Sequence, residues 1–215
     1  MKIICKLGNT SKIETVNVSE SDSLSVLLKK LKIKDKKAKL IYNDESYIIA
    51  SILTFEEIGI TFETSVTIKV NRENAIEEQR IEFNDWKDTI SCSGEPKKGD
   101  NVWNIIMDGP KDSPYAKGKF KIEITFPDNY PFIQARFKFC TPICHINIDG
   151  EHICLASLDS NYKEILSITN ILSQIFYMLT SPNEDNAYPQ YKQKYIEDYT
   201  GYLSLAREMT QKYAK

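Results

Sequence analysis

The 215-residue sequence lacks the features that mark several common classes of protein. Acidic and basic residues nearly balance, and the net charge of −2 gives no electrostatic basis for binding nucleic acid or an anionic membrane. No apolar run approaches the length that spans a bilayer, and the N-terminus is too charged for a signal peptide. We therefore expect no nucleic-acid partner and no membrane association.

Cysteine is scarce and odd in number, with five residues and no Cys-x-x-Cys pair. A disulfide framework is not indicated, and we expect a reducing compartment, the cytoplasm or the nucleus. A zinc site is an alternative, and its candidate ligands are Cys140, Cys144, His145, His152 and Cys154. Because their spacing fits no paired zinc pattern, ordinary thiols are favoured, with no metal and no cofactor.

The first 70 residues predict a small mixed α/β unit. The predicted elements, in order, are strands at 2–7 and 12–18, a helix at 24–31, a strand at 39–42, a helical turn at 55–58 and a strand at 66–70. The polar run Ser21-Asp22-Ser23 is expected to cap the helix. This order of elements is the β-grasp pattern.

The same segment resembles ubiquitin-like domains over residues 1–70. The resemblance includes Lys-Leu-Ile-Tyr at 39–42 and Leu-Thr-Phe-Glu-Glu-Ile-Gly-Ile at 53–60. Ubiquitin ends in a Gly-Gly tail, whereas Val70 runs on into polar residues, so this domain is not a conjugated tag unless it is cleaved. We interpret the domain as a folded appendage or docking module.

The apolar patch of ubiquitin is only partly matched in this segment. Ile41 holds one of its positions, but Lys69 and Asn9 fall where the other two apolar residues would be. A standard ubiquitin receptor would therefore meet an incomplete patch.

Residues 71–74 are polar and are predicted to be a short linker to a second domain at 75–215. A first helix is indicated by one largely apolar stripe, made of Ile76, Gln79, Phe83, Trp86 and Ile90. Strands at 102–107, 119–126 and 136–139 predict an antiparallel meander, followed by a central helix at 168–179 and one or two helices in 187–213.

Cys154 lies just downstream of a His145-x-Asn147 sequence and the Gly150 turn. A thiol beside an amide suits the carriage of an acyl group, because sulfur holds the acyl as a thioester and the amide can stabilise the oxyanion. A buried core thiol and a turn-stabilising amide are the alternative interpretations of Cys154 and Asn147.

The second domain resembles the catalytic core of ubiquitin-conjugating enzymes over essentially its full length. The matching motifs are Trp103, Gly-Pro-Lys-Asp-Ser-Pro-Tyr at 109–115, Phe-Pro-Asp-Asn-Tyr-Pro-Phe at 126–132, the 145–155 loop, Ser-Pro-Asn at 181–183 and the helix at 206–214. Several motifs in the right order are specific, although each alone is weak. The expected fold is α+β, with an N-terminal helix, a four-stranded antiparallel meander, and central and C-terminal helices.

The resemblance implies that an activating enzyme transfers ubiquitin or a ubiquitin-like modifier to Cys154, and that a ligase then presents a substrate lysine. Asn147 would stabilise the oxyanion, and His145 would support the loop by hydrogen bonds. The sequence departs from the family at Ile146, where proline is usual, and the stretch from Asn147 to Cys154 is one residue shorter. The acidic residue that often meets the incoming lysine is replaced by Asn186, beside Asp185.

The resemblance also predicts which residues bind ligases and the activating enzyme. Ligases of the RING class would contact Phe132. At the second place where such ligases usually bind, this chain has Glu164 and Ile165. The first helix, usually basic where the activating enzyme docks, instead carries Glu77, Glu78 and Arg80. This near reversal of charge predicts a basic docking surface on the partner.

Three hypotheses follow for the whole chain. The first is an active conjugating enzyme with an N-terminal docking domain. The second is a catalytically impaired variant that acts as a binding module in the ubiquitin pathway. Because Cys154 and Asn147 are both retained, the first is favoured. In the third, the ubiquitin-like domain regulates loading of the core in cis.

Overall fold

A computed structural model describes residues 1–33, 35, 37–159 and 166–215. The chain divides into two compact units. The first contains Met1–Ile76 together with Asp128–Ile133, and the second contains Glu77–Pro127 and Gln134–Lys215. Across the described residues, none of the helices combines the length and the apolar character needed to cross a bilayer.

The first unit is a five-stranded mixed sheet with one short helix. Its elements are β1 (Lys2–Leu7), β2 (Ile13–Asn17), α1 (Ser25–Lys30), β3 (Lys39–Tyr42), β4 (Glu45–Ile48) and β5 (Thr64–Lys69). The strand order is β2-β1-β5-β3-β4, with β1 parallel to β5 and the other pairs antiparallel. Alternation along β1 buries Ile3, Cys5 and Leu7 on one face, where Leu27 of α1 is also fully buried.

Two details of this unit differ from the sequence prediction. Strand β4 was not predicted; it forms because Asn43 and Asp44 adopt left-handed φ values of 49° and 63°, which suit a tight hairpin with β3. The predicted cap of α1 is wrong, because no side chain caps the helix. The Asp22 carboxylate accepts the Ser19 N–H at 2.8 Å instead, and is used in the preceding turn.

The second unit contains the four-stranded meander and most of the helices. Its elements are α2 (Arg72–Trp86, which begins in the first unit), β6 (Cys92–Ser93), β7 (Val102–Asp108), β8 (Lys119–Thr125), β9 (Arg136–Phe139), β10 (Ile148–Asp149), β11 (His152–Ile153), α3 (Ile168–Thr180), α4 (Pro189–Glu197) and α5 (Tyr199–Tyr213). Strands β6 to β9 pair in sequence order, each antiparallel to the next. The predicted meander and the two helices after residue 187 are therefore present.

Helix α2 shows where the predicted apolar stripe holds and where it fails. Ile76 and Phe83 are buried, and buried Gln79 accepts the backbone N–H of Ile168 through Oε1 at 2.8 Å, which ties α2 to the start of α3. Trp86, however, is 54% exposed, so its assignment to the stripe was wrong. The helix ends at Trp86, and this last residue lies off the buried face.

The predicted linker at 71–74 coincides with the start of this helix. Asn71 accepts the backbone N–H of Asn74 through Oδ1 at 2.9 Å, as an N-cap residue does. Because α2 begins at Arg72, most of the polar segment is helical. The domain limits 1–70, 71–74 and 75–215 stay predictions.

Candidate active site

Cys154 is placed by a short hairpin. Strands β10 and β11 pair antiparallel, and Gly150 between them has a φ of +55°, a conformation that favours glycine. Cys154 directly follows β11, and its N–H donates to the Asn147 carbonyl at 2.8 Å. Cys154 as a whole residue is half-buried, unlike the fully buried Asn147 that precedes the hairpin.

The other thiols have different surroundings. Cys5, Cys92 and Cys144 are buried, and burial is the main cause that raises the pKa of each to about 12. A thiol with such a pKa is a poor nucleophile near neutral pH, because the thiolate is the reactive form. Cys140 is half-buried like Cys154. The degree of burial therefore leaves Cys140 and Cys154 as the candidate carriers of an acyl group.

A groove of about 480 Å³ distinguishes Cys154 from Cys140. One wall is formed by Cys154 and the two residues after it, and the opposite wall by α3 and the loop that follows α3. The lining residues are Cys154, Leu155, Ala156, Asn170, Ser173, Gln174, Tyr177, Met178, Ser181, Asn183 and Asn186. Among these described residues no side chain is charged, so the groove suits an extended, uncharged peptide segment beside the sulfur.

His145 fixes the loop that precedes Cys154. The ring is fully buried; Nδ1 accepts the Asn147 N–H at 3.0 Å, and Nε2 lies 3.0 Å from the Met178 carbonyl. Because Nδ1 accepts, the proton is on Nε2, which donates to Met178 of α3. Burial lowers the pKa of His145 to about 4, against a smaller opposing effect of the Met178 carbonyl. The ring is therefore neutral at physiological pH.

A buried pair of tyrosines holds the start of the same loop. The Tyr115 hydroxyl donates to the Cys144 carbonyl at 2.8 Å and lies 3.1 Å from the Tyr202 hydroxyl. Tyr115 belongs to the Gly-Pro-Lys-Asp-Ser-Pro-Tyr motif, where Ser113 donates to the Pro110 carbonyl at 2.7 Å. This motif thus supports the backbone beside His145.

Asn147 is fully buried, and its side chain is used in hydrogen bonds to the loop after α3. Nδ2 donates to the Asn183 carbonyl at 2.7 Å and to the Asn186 carbonyl at 3.2 Å, and Oδ1 accepts the Asn183 N–H at 2.8 Å. The amide therefore clamps this loop against the segment that leads to Cys154. An oxyanion role requires one Nδ2–H to be released, and the Asn186 contact is the longer of the two.

The loop after α3 carries the two other residues predicted to act in transfer. Asn186 lines the groove with Cys154. Asp185 is exposed, and its N–H donates to Asn183 Oδ1 at 2.9 Å. The catalytic roles of Asp185 and Asn186 stay predictions.

One residue near the site was not found from the sequence. The Tyr188 N–H donates to the Ile146 carbonyl at 2.7 Å, and the ring is half-buried. Its pKa is raised mainly by burial, and further by Cys154 and Asp149. An aromatic residue directly before the proline that begins α4 was the only available signal in the sequence.

The predicted partner residues lie elsewhere. Phe132 belongs to the segment grouped with the first unit, where it is 9% exposed and contributes to the hydrophobic core cluster. Glu164 and Ile165 fall outside the described residues. On α2, Glu77 and Arg80 form a two-contact ion pair at 2.7 and 2.8 Å, and the hydrogen bond from Arg80 is the main cause that lowers the pKa of Glu77. Glu78 on the same helix is exposed.

The zinc alternative has no support in the described part of the chain. No group of three histidine, cysteine or acidic residues is arranged to hold a metal ion there.

Comparison with known proteins identifies the family. Residues 76–210 match the family described as ubiquitin-conjugating enzyme, which covers more than half of the chain. The structure is also similar to the E2 domain of a ubiquitin-conjugating enzyme from Toxoplasma gondii. The TM-score is 0.59 at 26% sequence identity, with 67% of this chain and 100% of that domain covered. The chain belongs to the ubiquitin-conjugating enzyme family.

Proposed function

We propose that the chain is an active ubiquitin-conjugating enzyme that carries ubiquitin or a ubiquitin-like modifier as a thioester on Cys154. The observation that carries this proposal is the position of a half-buried thiol at the edge of an uncharged groove, within the family region. The extended tail of a modifier would lie in this groove with its carboxyl carbon at the sulfur.

The reaction has two acyl transfers. In the first, the Cys154 thiolate attacks the thioester carbon of the modifier bound to the activating enzyme, and the sulfur of that enzyme leaves with the electron pair. In the second, a lysine amine attacks the new thioester, the carbon–sulfur bond breaks, and nitrogen loses a proton to give the isopeptide bond. Sulfur suits the carrier role because a thioester is far more reactive toward amines than an oxygen ester.

Asn147 has both a structural and a catalytic role in this proposal. Its amide holds the loop after α3 in the resting state. During attack, the Nδ2–H that contacts the Asn186 carbonyl at 3.2 Å turns to the oxyanion. Such a donor contributes on the order of 3 kcal/mol in other acyl-transfer sites.

Charging assays test the proposal. Activating enzyme, ATP and ubiquitin are mixed with the full chain, and the products are separated with and without thiol reductant. We expect an adduct that reductant removes in the wild type, no adduct in Cys154→Ala, and an unchanged adduct in Cys140→Ala, which removes the other half-buried thiol. Loss of the adduct in Cys140→Ala alone would overturn the assignment of Cys154.

The second candidate function is a catalytically impaired variant that binds in the ubiquitin pathway without transfer. It is favoured by the hydrogen bonds that occupy both donors of Asn147. A chain that forms no adduct with ubiquitin or a related modifier, yet binds ubiquitin in a titration followed by NMR, would support this function.

For the first unit we propose a ubiquitin-like β-grasp domain that docks partners. The strand order β2-β1-β5-β3-β4, with parallel β1 and β5 at its centre, supports this proposal. The unit continues through β5 into α2 without a Gly-Gly end, so it is not a modifier in this chain.

The partners proposed for the chain are an activating enzyme with a basic docking surface and ligases of the RING or another class. A ligase contact at Phe132 would require this ring to leave the hydrophobic core of the first unit, where it is 9% exposed. The activating enzyme is expected at α2. Because all five cysteines are free, we propose that the protein works in a reducing compartment, the cytoplasm or the nucleus.

A further inference from the structure

The ring of Phe132 is held inside the first unit. The segment Asp128–Ile133 belongs to this unit, whereas its neighbours in the chain, Pro127 and Gln134, belong to the second. Phe132 is 9% exposed and lies in the hydrophobic core cluster of the first unit, while the next residue, Ile133, is 44% exposed. The segment therefore buries its aromatic ring and leaves the neighbouring aliphatic side chain at the surface.

Gly8, in the turn between β1 and β2, forms a place against which the ring packs. Its φ is +58°, and its N–H donates to the Ile68 carbonyl at 2.7 Å, which fixes the turn against β5. A Cβ atom at position 8 would lie 3.0 Å from both Cδ2 and Cε2 of Phe132, closer than carbon atoms normally pack. Asparagine also tolerates a left-handed φ, so it is the close approach of the ring that excludes a side chain here.

The same unit also includes the start of α2. Buried Asp35 accepts the Asn71 N–H through Oδ2 at 3.2 Å, directly before the helix begins. Ala75 and Ile76 in the first turn of the helix are buried as well, and the first unit ends at Ile76. Because Phe132 and the turn at Gly8 belong to one chain, their contact is intramolecular, with an effective concentration on the order of millimolar. A ligase at micromolar concentration therefore meets a strong competitor for the ring.

We propose that the first unit and a ligase compete for Phe132, so that the turn at Gly8 withholds the ring until a ligase displaces it. This inference rests on the proposed function, and within it on the ligase contact at Phe132. Burial of a phenylalanine ring changes an equilibrium constant by about ten- to a hundredfold. Only a small fraction of the chains then has the ring released, and the apparent affinity for a ligase is reduced by that fraction. The first unit thereby controls transfer that a ligase supports, without a change at Cys154.

The position of the ring is tested by fluorine NMR of the full chain with 4-fluorophenylalanine in place of Phe132. We expect the signal of the native chain to differ from that of the urea-unfolded chain, because the ring is packed in a core. Gly8→Asn should move the signal toward the unfolded position, because the added side chain takes the space of the ring. Gly59→Asn is the matched control: its φ of +78° is also left-handed, and a Cβ atom there would meet none of the described atoms within 4 Å. A native signal at the unfolded position would contradict the inference.

The competition is tested by calorimetric titration of the uncharged full chain with a panel of recombinant, isolated RING domains. Gly8→Asn should bind at least one of them about tenfold more tightly than the wild type and Gly59→Asn do. Phe132→Ala, added to Gly8→Asn, should abolish this gain, because the released ring makes the contact. Point variants are used because deletion of the first unit would also remove the partner docking that we propose for it.

A measurement on the wild type keeps the test decisive if Gly8→Asn does not fold. A saturating RING domain should shift the fluorine signal of residue 132 away from its native position, because the ring leaves the core when the domain binds. A RING domain that binds the wild type without shifting this signal would overturn the inference. So would equal affinities of Gly8→Asn, Gly59→Asn and the wild type, or a panel that binds none of the three.

The binding measurements also separate this inference from the chemistry of Cys154, since they use the uncharged chain. A wild type that forms no reductant-sensitive adduct would overturn the proposed acyl transfer, and the titrations would still decide the competition for Phe132. Normal charging with equal RING affinities of Gly8→Asn and the wild type would instead overturn the competition alone.

Discussion

Two buried side chains, His145 and Asn147, determine how the segment before Cys154 is held. The histidine ring contacts α3 through Met178, and the asparagine amide contacts the loop after α3 through Asn183. Both contacts use backbone groups of α3 or of the loop after it, and the Tyr115 hydroxyl holds the start of the segment through the Cys144 carbonyl. The hydrogen bonds of His145 and Asn147 hold the segment that precedes Cys154, and their contribution to stability can be measured by unfolding.

The neutral state of His145 predicts a pH-dependent stability. Its pKa is about 4 in the folded chain and about 6.5 when unfolded, so the unfolded chain binds a proton in this window that the native chain does not. The stabilisation is complete above about pH 6.5 and decreases as the pH falls toward 4. By pH 5 the loss is about 2 kcal/mol, measurable by urea unfolding.

His152, the only other histidine, provides the control. It is exposed, so His152→Gln should keep the pH dependence of the wild type, whereas His145→Gln should flatten it between pH 7 and 5. Equal slopes in the two variants would contradict the account of His145.

Asn147→Ala is predicted to affect stability as well as transfer. The substitution leaves the Asn183 N–H without its acceptor at 2.8 Å and two carbonyls without donors. Each hydrogen bond that is lost contributes about 0.5–1.5 kcal/mol, so the urea midpoint should fall. Lysine discharge should also fall under conditions where the variant is folded. An unchanged urea midpoint would show that the Asn147 side-chain hydrogen bonds do not contribute to the stability of the fold.

Helix α2 carries more acidic than basic side chains, and it is the helix at which we predict that the activating enzyme docks. On this helix Glu77 and Arg80 form an ion pair, the Glu78 and Asp85 side chains are exposed, and Ile81 is 51% exposed. An apolar side chain flanked by carboxylates suits a partner surface with basic residues around an apolar contact.

Glu78→Lys should therefore slow charging by the activating enzyme about three- to tenfold at low salt, with a smaller effect at high salt, in a time course of adduct formation. Glu73→Lys is the control, because five residues along a helix turn a side chain by about 140° to another face. Equal charging rates for Glu78→Lys and the wild type would remove the predicted basic surface.

Prediction from sequence worked best for elements with strong periodicity. Helix α3 was expected at 168–179 and spans Ile168–Thr180, because its apolar residues repeat at helical spacing and Ser167 caps it. Strand β4 was missed, since Glu45–Ile48 has little apolar alternation and forms by pairing with β3. Tyr188 was missed for a related reason: a hydrogen bond distant in sequence places it at the site.

The first unit is predicted to act through partners and not through the chemistry of Cys154. Deletion of residues 1–70 keeps Asn71, which caps α2 at 2.9 Å. Charging and hydroxylamine discharge should then remain close to wild-type rates, while ligase-supported transfer decreases. Single-turnover assays with and without a ligase check this prediction. A changed charging rate would instead favour regulation of loading by this domain.

Intact-mass spectrometry of Cys154→Ser, after incubation with activating enzyme, ATP and ubiquitin, decides whether residue 154 carries the modifier. We expect a mass gain of one ubiquitin less one water that is stable to reductant, with the ester mapped by digestion to the peptide containing residue 154. An unmodified mass in this variant, together with a wild-type chain that gains no reductant-sensitive mass, would contradict it.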